Sequence, residues 1–293
     1  MDIKNILKNL KVLFEVTFKD YKFNKRHLFF RQNTNYEIEF SQLRIYCHML
    51  DKGLNNPHFE KGHSKIIYDN AFELFQKLKN VYDKDNAFIW AKDILERYEV
   101  AQREGKPMLE NQKEYLYSSE EMKILKVFIK SRTSCRNFKK NKISPNILKN
   151  IVEIAIDAPT GCCRQSSRFY ITQDEKKINA LIKNISGITN FTNVQCLVAV
   201  CAESSFYGIV DKNLQYVDAS LSAENFILGA RIYGIYGTMC NFFHATNAQV
   251  KESKEILGIN DSENIVLFLV IGYPTLIPGK PVRQNIETFY KIR

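Results

Sequence analysis

The stretch Ser131-Arg132-Thr133-Ser134-Cys135-Arg136-Asn137-Phe138 sits between two segments with strong helix signals. Upstream, Ser118 and Glu121 form a Ser-x-x-Glu pattern. In such a capping box a hydroxyl and a carboxylate satisfy backbone N–H groups that a helix start leaves free. The helix that follows is expected to turn Met122, Leu125, Val127 and Phe128 inward. Downstream, Ser144 precedes Pro145, which suits the first helical position because its missing N–H costs little there. Ile147, Leu148, Ile151, Ile154 and Ala155 give that second helix its apolar stripe, and Ala158-Pro159 ends it.

Beyond Pro159, helices alternate with short strands. Residues 168–172 read as a strand, 196–202 as a buried strand of apolar and small residues, and 264–273 as the longest β-like run. Residues 218–233 read as a helix rich in small side chains, and 248–257 as a short helix closed by Gly258. Gly234-Ile235-Tyr236-Gly237-Thr238 reads as a glycine-marked loop. The alternation predicts a mixed α and β core.

Residues 1–117 have a different character. Helical spacing recurs through Phe40, Leu43, Tyr46, Cys47 and Leu50, then through Ile66, Ile67, Leu74 and Leu78. A third series runs from Phe88 through Ile94, Leu95 and Tyr98 to about Arg103. The stretch Glu104-Gly105-Lys106-Pro107 breaks it. No strand alternation is legible here, so 1–117 is expected to be a helical extension ahead of a domain at 118–293. Near the start, Ile3, Ile6, Leu7, Leu10, Leu13, Phe14 and Phe18 share one helical face, expected to dock on the rest of the protein in preference to lying on an anionic membrane surface. Lys8 and Lys11 interrupt what a signal peptide would need as a continuous apolar run.

Hydrophobic residues make up 45% of the 293, and charged residues 25%, an ordinary globular composition. No apolar run reaches the length of a membrane span, about 20 residues. The seven cysteines form no CxxC pair, and the five histidines show no HExxH spacing, so no metal site is expected. Reduced thiols in a cytoplasm are the expectation. Of the net charge of +10, residues 1–120 carry +2 and residues 121–293 carry +8. The cations are scattered rather than striped, which argues against nucleic acid and is compatible with a small anionic ligand.

From Ser118 to Arg293 the chain resembles the FMN-binding nitroreductase family. The resemblance begins at Arg132-Thr133-Ser134-Cys135-Arg136-Asn137-Phe138. It continues in the turn Ala158-Pro159-Thr160-Gly161-Cys162-Cys163-Arg164-Gln165-Ser166-Ser167, in Asp218 at a small-residue helix, and in the loop from Gly234 to Thr238. It ends in Leu257-Gly258-Ile259, Gly272-Tyr273-Pro274, and the basic Lys280 and Arg283. Earlier in the chain, His48-Met49-Leu50-Asp51-Lys52-Gly53-Leu54 resembles an element that precedes the nitroreductase domain in some proteins of polysaccharide-biosynthesis loci.

The resemblance implies an α+β three-layer sandwich with a central, mainly antiparallel sheet, plus the all-helical N-terminal region. It implies FMN as cofactor, NADH or NADPH as electron donor, and a homodimer with FMN at the interface. No protein side chain is expected to be catalytic, because flavin N5 carries the chemistry. The 5′-phosphate would be held by Arg132, Arg136, Lys280 and Arg283, with Thr133 and Ser134 donating to phosphate or ribityl oxygens. Pro159, Thr160, Gly161, Cys163 and Gln165 would lie along the flavin edge, and Tyr236, Gly237 and Thr238 would face it. Cys163 stands where the family has Asn, and Ser167 where it has Trp. Arg164 is expected either beside the flavin or in solvent, and His244 in a core gap in preference to the substrate side of the pocket. The acceptor would be a small nitro, quinone or enone compound. The alternatives are a flavin-dependent dehydrogenase or oxidase tailoring a biosynthetic, possibly polysaccharide-related, intermediate, and a degenerate flavin-binding interaction protein.

Overall fold

A computed structural model describes residues 10, 13, 14, 17, 18, 21, 25, 35–109 and 113–293. Helices α1 (Tyr36–Leu54), α2 (Lys65–Tyr82) and α3 (Asn86–Glu104) pack together. Asn35 accepts from the Ile38 N–H at the start of α1, Asp85 accepts from Ala87 at the start of α3, and left-handed Gly105 closes α3. Their core joins Leu43, Cys47, Leu50, Leu78, Ile94 and Leu95, with Phe40 stacked on Tyr82 and Phe75 on Phe88. Every member of this apolar cluster lies between residues 40 and 108. Of the expected N-terminal helix, Ile3, Ile6 and Leu7 lie outside the described residues. Leu10, Leu13, Phe14 and Phe18 are helical but exposed, so these four do not show the docking that the pattern predicts.

The rest of the chain contributes α4 (Ser119–Lys130), α5 (Pro145–Ile156), β1 (Ser167–Thr172), α6 (Glu175–Ile182), β2 (Cys196–Glu203), α7 (Leu214–Ile232), β3 (Tyr236–Asn241), α8 (Asn247–Leu257) and β4 (Glu263–Gly272). The sheet order is β1-β2-β4-β3, with every neighbouring pair antiparallel. β2 is buried on both faces, which explains its unbroken apolar run. Cys196, Val198, Val200 and Ala202 face α5 and α7, whereas Leu197, Ala199 and Cys201 join the opposite cluster with α6 and α8. Alternation along one strand thereby builds the three layers, helices over both faces of an antiparallel sheet, as the resemblance implies.

Two local expectations are corrected. Tyr236, Gly237 and Thr238 belong to strand β3, because Gly237 is Cα partner to Ile271 and Thr238 to Val270. A Cβ at Gly237 would lie 2.7 Å from both Ile271 Cγ2 and the Val270 carbonyl, so tight strand packing requires glycine there. α4 has the capping box that Ser118 and Glu121 predict, yet it buries no residue. Met122, Leu125 and Val127 are exposed and Phe128 only half-buried, so the described residues leave the apolar face of this helix uncovered.

Candidate cofactor site

The first motif lies on the free edge of β3. Ser134 bridges Gly237 in parallel, the Cys135 N–H donates to the Gly237 carbonyl at 3.2 Å, and Thr238 Oγ1 donates to the Cys135 carbonyl at 2.6 Å. The segment after β4 returns along the same strip: Lys139 N–H donates to Tyr273 O, and Thr275 N–H to Asn137 O. Lys280 Nζ donates to the Lys130 carbonyl at 2.7 Å, which brings the basic tail to the end of α4. The structure therefore gathers Arg132, Thr133, Ser134, Tyr236, Gly237, Thr238 and Lys280. Thr133 and Thr238 are buried, Arg132 and Ser134 half-buried, and Lys280 exposed. Arg136 lies farther along, its guanidinium 5.9 Å from the centre of the Phe191 ring, and Arg283 is exposed on the tail.

Sequence reading missed Arg231, in the last turn of α7. Its guanidinium stacks 4.0 Å over the Tyr236 ring and donates to Ser131 Oγ at 2.8 Å. Its Nε and Nη1 are buried without a hydrogen-bond partner. Among the described residues, no carboxylate pairs with Arg132, Arg136, Arg231, Lys280 or Arg283 within 4.0 Å. Such a concentration of uncompensated cations and hydroxyls is chemically matched to a phosphate dianion. The signal in the sequence was a basic residue closing a helix three positions before Gly234, which by itself reads as an ordinary response to the helix dipole.

The second group of expected residues sits elsewhere. Gly161–Cys163 forms a 3-10 turn, with Cys162, Cys163 and Gln165 in the left-handed region at φ 51°, 56° and 53°. Asp218 holds the turn: both its carboxylate oxygens accept from the Gly161 N–H, at 3.0 and 3.1 Å, and one also accepts from Tyr207 O–H at 2.7 Å. Asp218 does not open its helix, as the sequence suggests, but lies a full turn inside α7. Pro159 and Gln165 are exposed, Thr160, Gly161 and Cys163 half-buried. Gln165 Nε2 donates to Cys163 Sγ at 3.5 Å, and burial raises the thiol above its ordinary pKa. Ser167, in place of an aromatic wall, shares a hydrogen bond of 2.9 Å with Ser222.

Arg164 takes neither expected position. It is buried and donates to Phe206 O, Gly161 O and Asp211 Oδ2, all at 2.9–3.0 Å, so it ties the turn internally. His244 is exposed rather than filling a core gap. Cys162 is exposed too, so it does not behave as a small buried hydrophobe.

From Asp218, at the turn, to Arg231, at the first motif, α7 advances about 20 Å at 1.5 Å per residue. One chain thus presents the two expected halves of the site at opposite ends of one helix. A cleft of about 1020 Å3 lies between the start of α7, α8 and β4, lined by Lys212, Tyr216, Phe242 and Phe243 among others. None of the expected cofactor residues lines it. No group of residues suited to a metal ion occurs among the described residues, and no described helix is long and apolar enough to cross a membrane.

Residues 129–204 match the family model described as "Nitroreductase family". Solved structures share the fold. A Bacillus subtilis protein described as a nitroreductase is 18% identical, covers 59% of this chain and 100% of its own, and has a TM-score of 0.53. A nitroreductase-like protein of Streptococcus mutans is 18% identical, with coverages of 59% and 99% and a TM-score of 0.51. An FMN-dependent nitroreductase of Clostridium difficile is 18% identical, with coverages of 56% and 96% and a TM-score of 0.50. The chain thus has a nitroreductase-like α+β fold together with a helical N-terminal region.

Proposed function

We propose that this protein is an FMN-dependent oxidoreductase, drawing hydride from NADH or NADPH and passing it to a small organic acceptor of nitro, quinone or enone type. The observation that carries this is the strip where Arg132, Ser134, Gly237 and Lys280 meet with Arg231, a cationic edge without carboxylate partners. Arg132 and Lys280 would hold the 5′-phosphate, joined by Arg136 and Arg283, with Thr133 and Ser134 hydrogen-bonding it or the ribityl chain. FMN, when bound, supplies the N5 position that accepts and donates hydride. The chain's own part is to bind, orient and shield it, so no acid–base pair is required.

The same geometry supports a homodimer. With about 20 Å of α7 between the two halves, a second copy would bring its turn at residues 159–165, with Gln165, to the first copy's cationic strip. The exposed apolar side chains of α4 (Met122, Leu125, Ile129) and of the tail (Leu276, Ile277, Phe289) are the surface such a partner would cover. In this reading residues 1–117 form a helical extension and 118–293 the FMN-binding domain, acting in the cytoplasm on small molecules.

The direct test is the visible spectrum of the purified protein, with the released cofactor identified, followed by NAD(P)H oxidation with a quinone acceptor. Flavin absorption, FMN in the extract and turnover are expected. A colourless protein that takes up no added FMN would falsify the proposal.

A further inference from the structure

We propose that Arg44, on α1 of the helical region, is a positioning residue of the cofactor site, clamping the turn at residues 160–165 in the shape that faces the flavin. The proposal rests on reading that turn as the flavin edge. α1 packs directly against Gly161–Cys163 and against the neighbouring turn Ser204–Phe206. Arg44 is only 5% exposed, and its Nη2 donates to the Arg164 carbonyl at 2.8 Å, across 120 residues of sequence. Its guanidinium lies 4.6 Å from the Phe40 ring centre and 5.6 Å from that of Phe206, one aromatic from each side of the junction.

Two features set this contact apart from ordinary helix docking. The first is the state of the turn. Cys162, Cys163 and Gln165 all carry a Cβ in the left-handed region, a conformation that persists only where the surroundings impose it. Asp218 on the Gly161 N–H, Thr160 Oγ1 on the Gln165 N–H and the Arg164 side chain on the Gly161 carbonyl supply constraints from within residues 160–218. Arg44 adds one from the helical region, at the carbonyl between two of the left-handed residues. The second feature is what Arg44 gives up. It has no carboxylate within 4.0 Å among the described ion pairs, its Nε is buried without a partner, and desolvation lowers its pKa to about 10. An apolar side chain would fill the same space without burying a charge. The retained cation is explained by its bond to the turn, which also polarises the Arg164–Gln165 peptide and sets positive charge behind Cys163 and Gln165.

The test uses the full chain with R44M and R44K. Amide hydrogen exchange over residues 160–166 is followed without FMN; FMN affinity and the flavin midpoint potential are measured separately. R44M is expected to exchange faster across the turn, with β2 unchanged. Its FMN Kd is expected to rise about tenfold, the loss of one charge-assisted hydrogen bond, and its potential to fall. R44K is expected to recover part of each. Normal turn exchange in a folded R44M overturns the clamp, and faster exchange with unaltered FMN Kd and potential overturns the role in the cofactor site. Should R44M not fold, R44K decides by the same measurements, since lysine keeps the charge but not the planar stacking. A wild-type chain that binds no FMN sinks the flavin reading of the turn itself, and the exchange arm then decides separately whether Arg44 holds it.

Discussion

Arg132 is the most direct residue-level probe of the cationic strip, because it is half-buried and its side chain makes no hydrogen bond or ion pair among the described residues. Arg132→Ala is expected to raise the FMN Kd by about tenfold or more, with unchanged circular dichroism, since one charged bidentate contact to phosphate would be lost. A Kd within twofold of wild type would remove Arg132 from the site. Glu263 offers a test of stability. Burial, reinforced by the nearby Glu203 charge, holds its carboxyl above the usual range, and Tyr170 O–H donates to it at 2.5 Å. A folded-state pKa above the unfolded one contributes stability at low pH that disappears as pH rises through the folded value. As pH rises from the ordinary carboxylate value through the raised folded one, the Tm of wild type should therefore fall relative to that of Glu263→Gln. Parallel Tm curves would show that Glu263 does not carry this pH dependence. Such couplings were invisible in sequence: Glu203 and Glu263 are sixty positions apart and meet only where β2 pairs with β4.

At the scale of elements, α4 is the clearest case of a correct helix with a misjudged environment. Its capping box and periodicity were legible, and the inference that its apolar face points into the same chain was not sound. Period 3.6 announces that a face will be buried without saying by what. Leu125→Asp with Ile129→Asp is expected to convert a dimer to a monomer in sedimentation, to weaken FMN binding, and to leave helix content unchanged. A dimer that survives both charges would place the interface elsewhere. β3 is the complementary case. Gly234 and Gly237 mark what reads as a loop, yet Gly237 lies within the strand, where Ile271 and the Val270 carbonyl leave no room for a Cβ.

For the whole molecule, assembly and cofactor should be thermodynamically linked. FMN at about a hundred times its Kd should add about 2.7 kcal/mol to stability, which raises Tm by roughly 4–5 °C for a protein of this size. If each site needs two chains, this gain should grow with protein concentration over the range where the dimer forms. A Tm shift independent of concentration in a range where sedimentation shows dissociation would mean that one chain binds FMN alone.

Local signals determined a good deal here. Caps at Ser118, Ser144 and Gly258, the helical periodicities, and the apolar run of β2 depend on neighbours a few residues away, and they appear where the sequence puts them. The ordered fragments from Arg132 to Pro274 were enough to imply the nitroreductase-like fold. Tertiary structure alone decided the roles of side chains whose partners are remote in sequence. It turned Arg164 inward onto Asp211 and Phe206, made Asp218 the anchor of a turn 57 residues away, stacked Arg231 on Tyr236, and brought Arg44 onto the Arg164 carbonyl. The physical reason is that a cap or a periodicity is satisfied within one element, whereas a buried charge takes its meaning from whichever groups the packing of several elements happens to bring beside it.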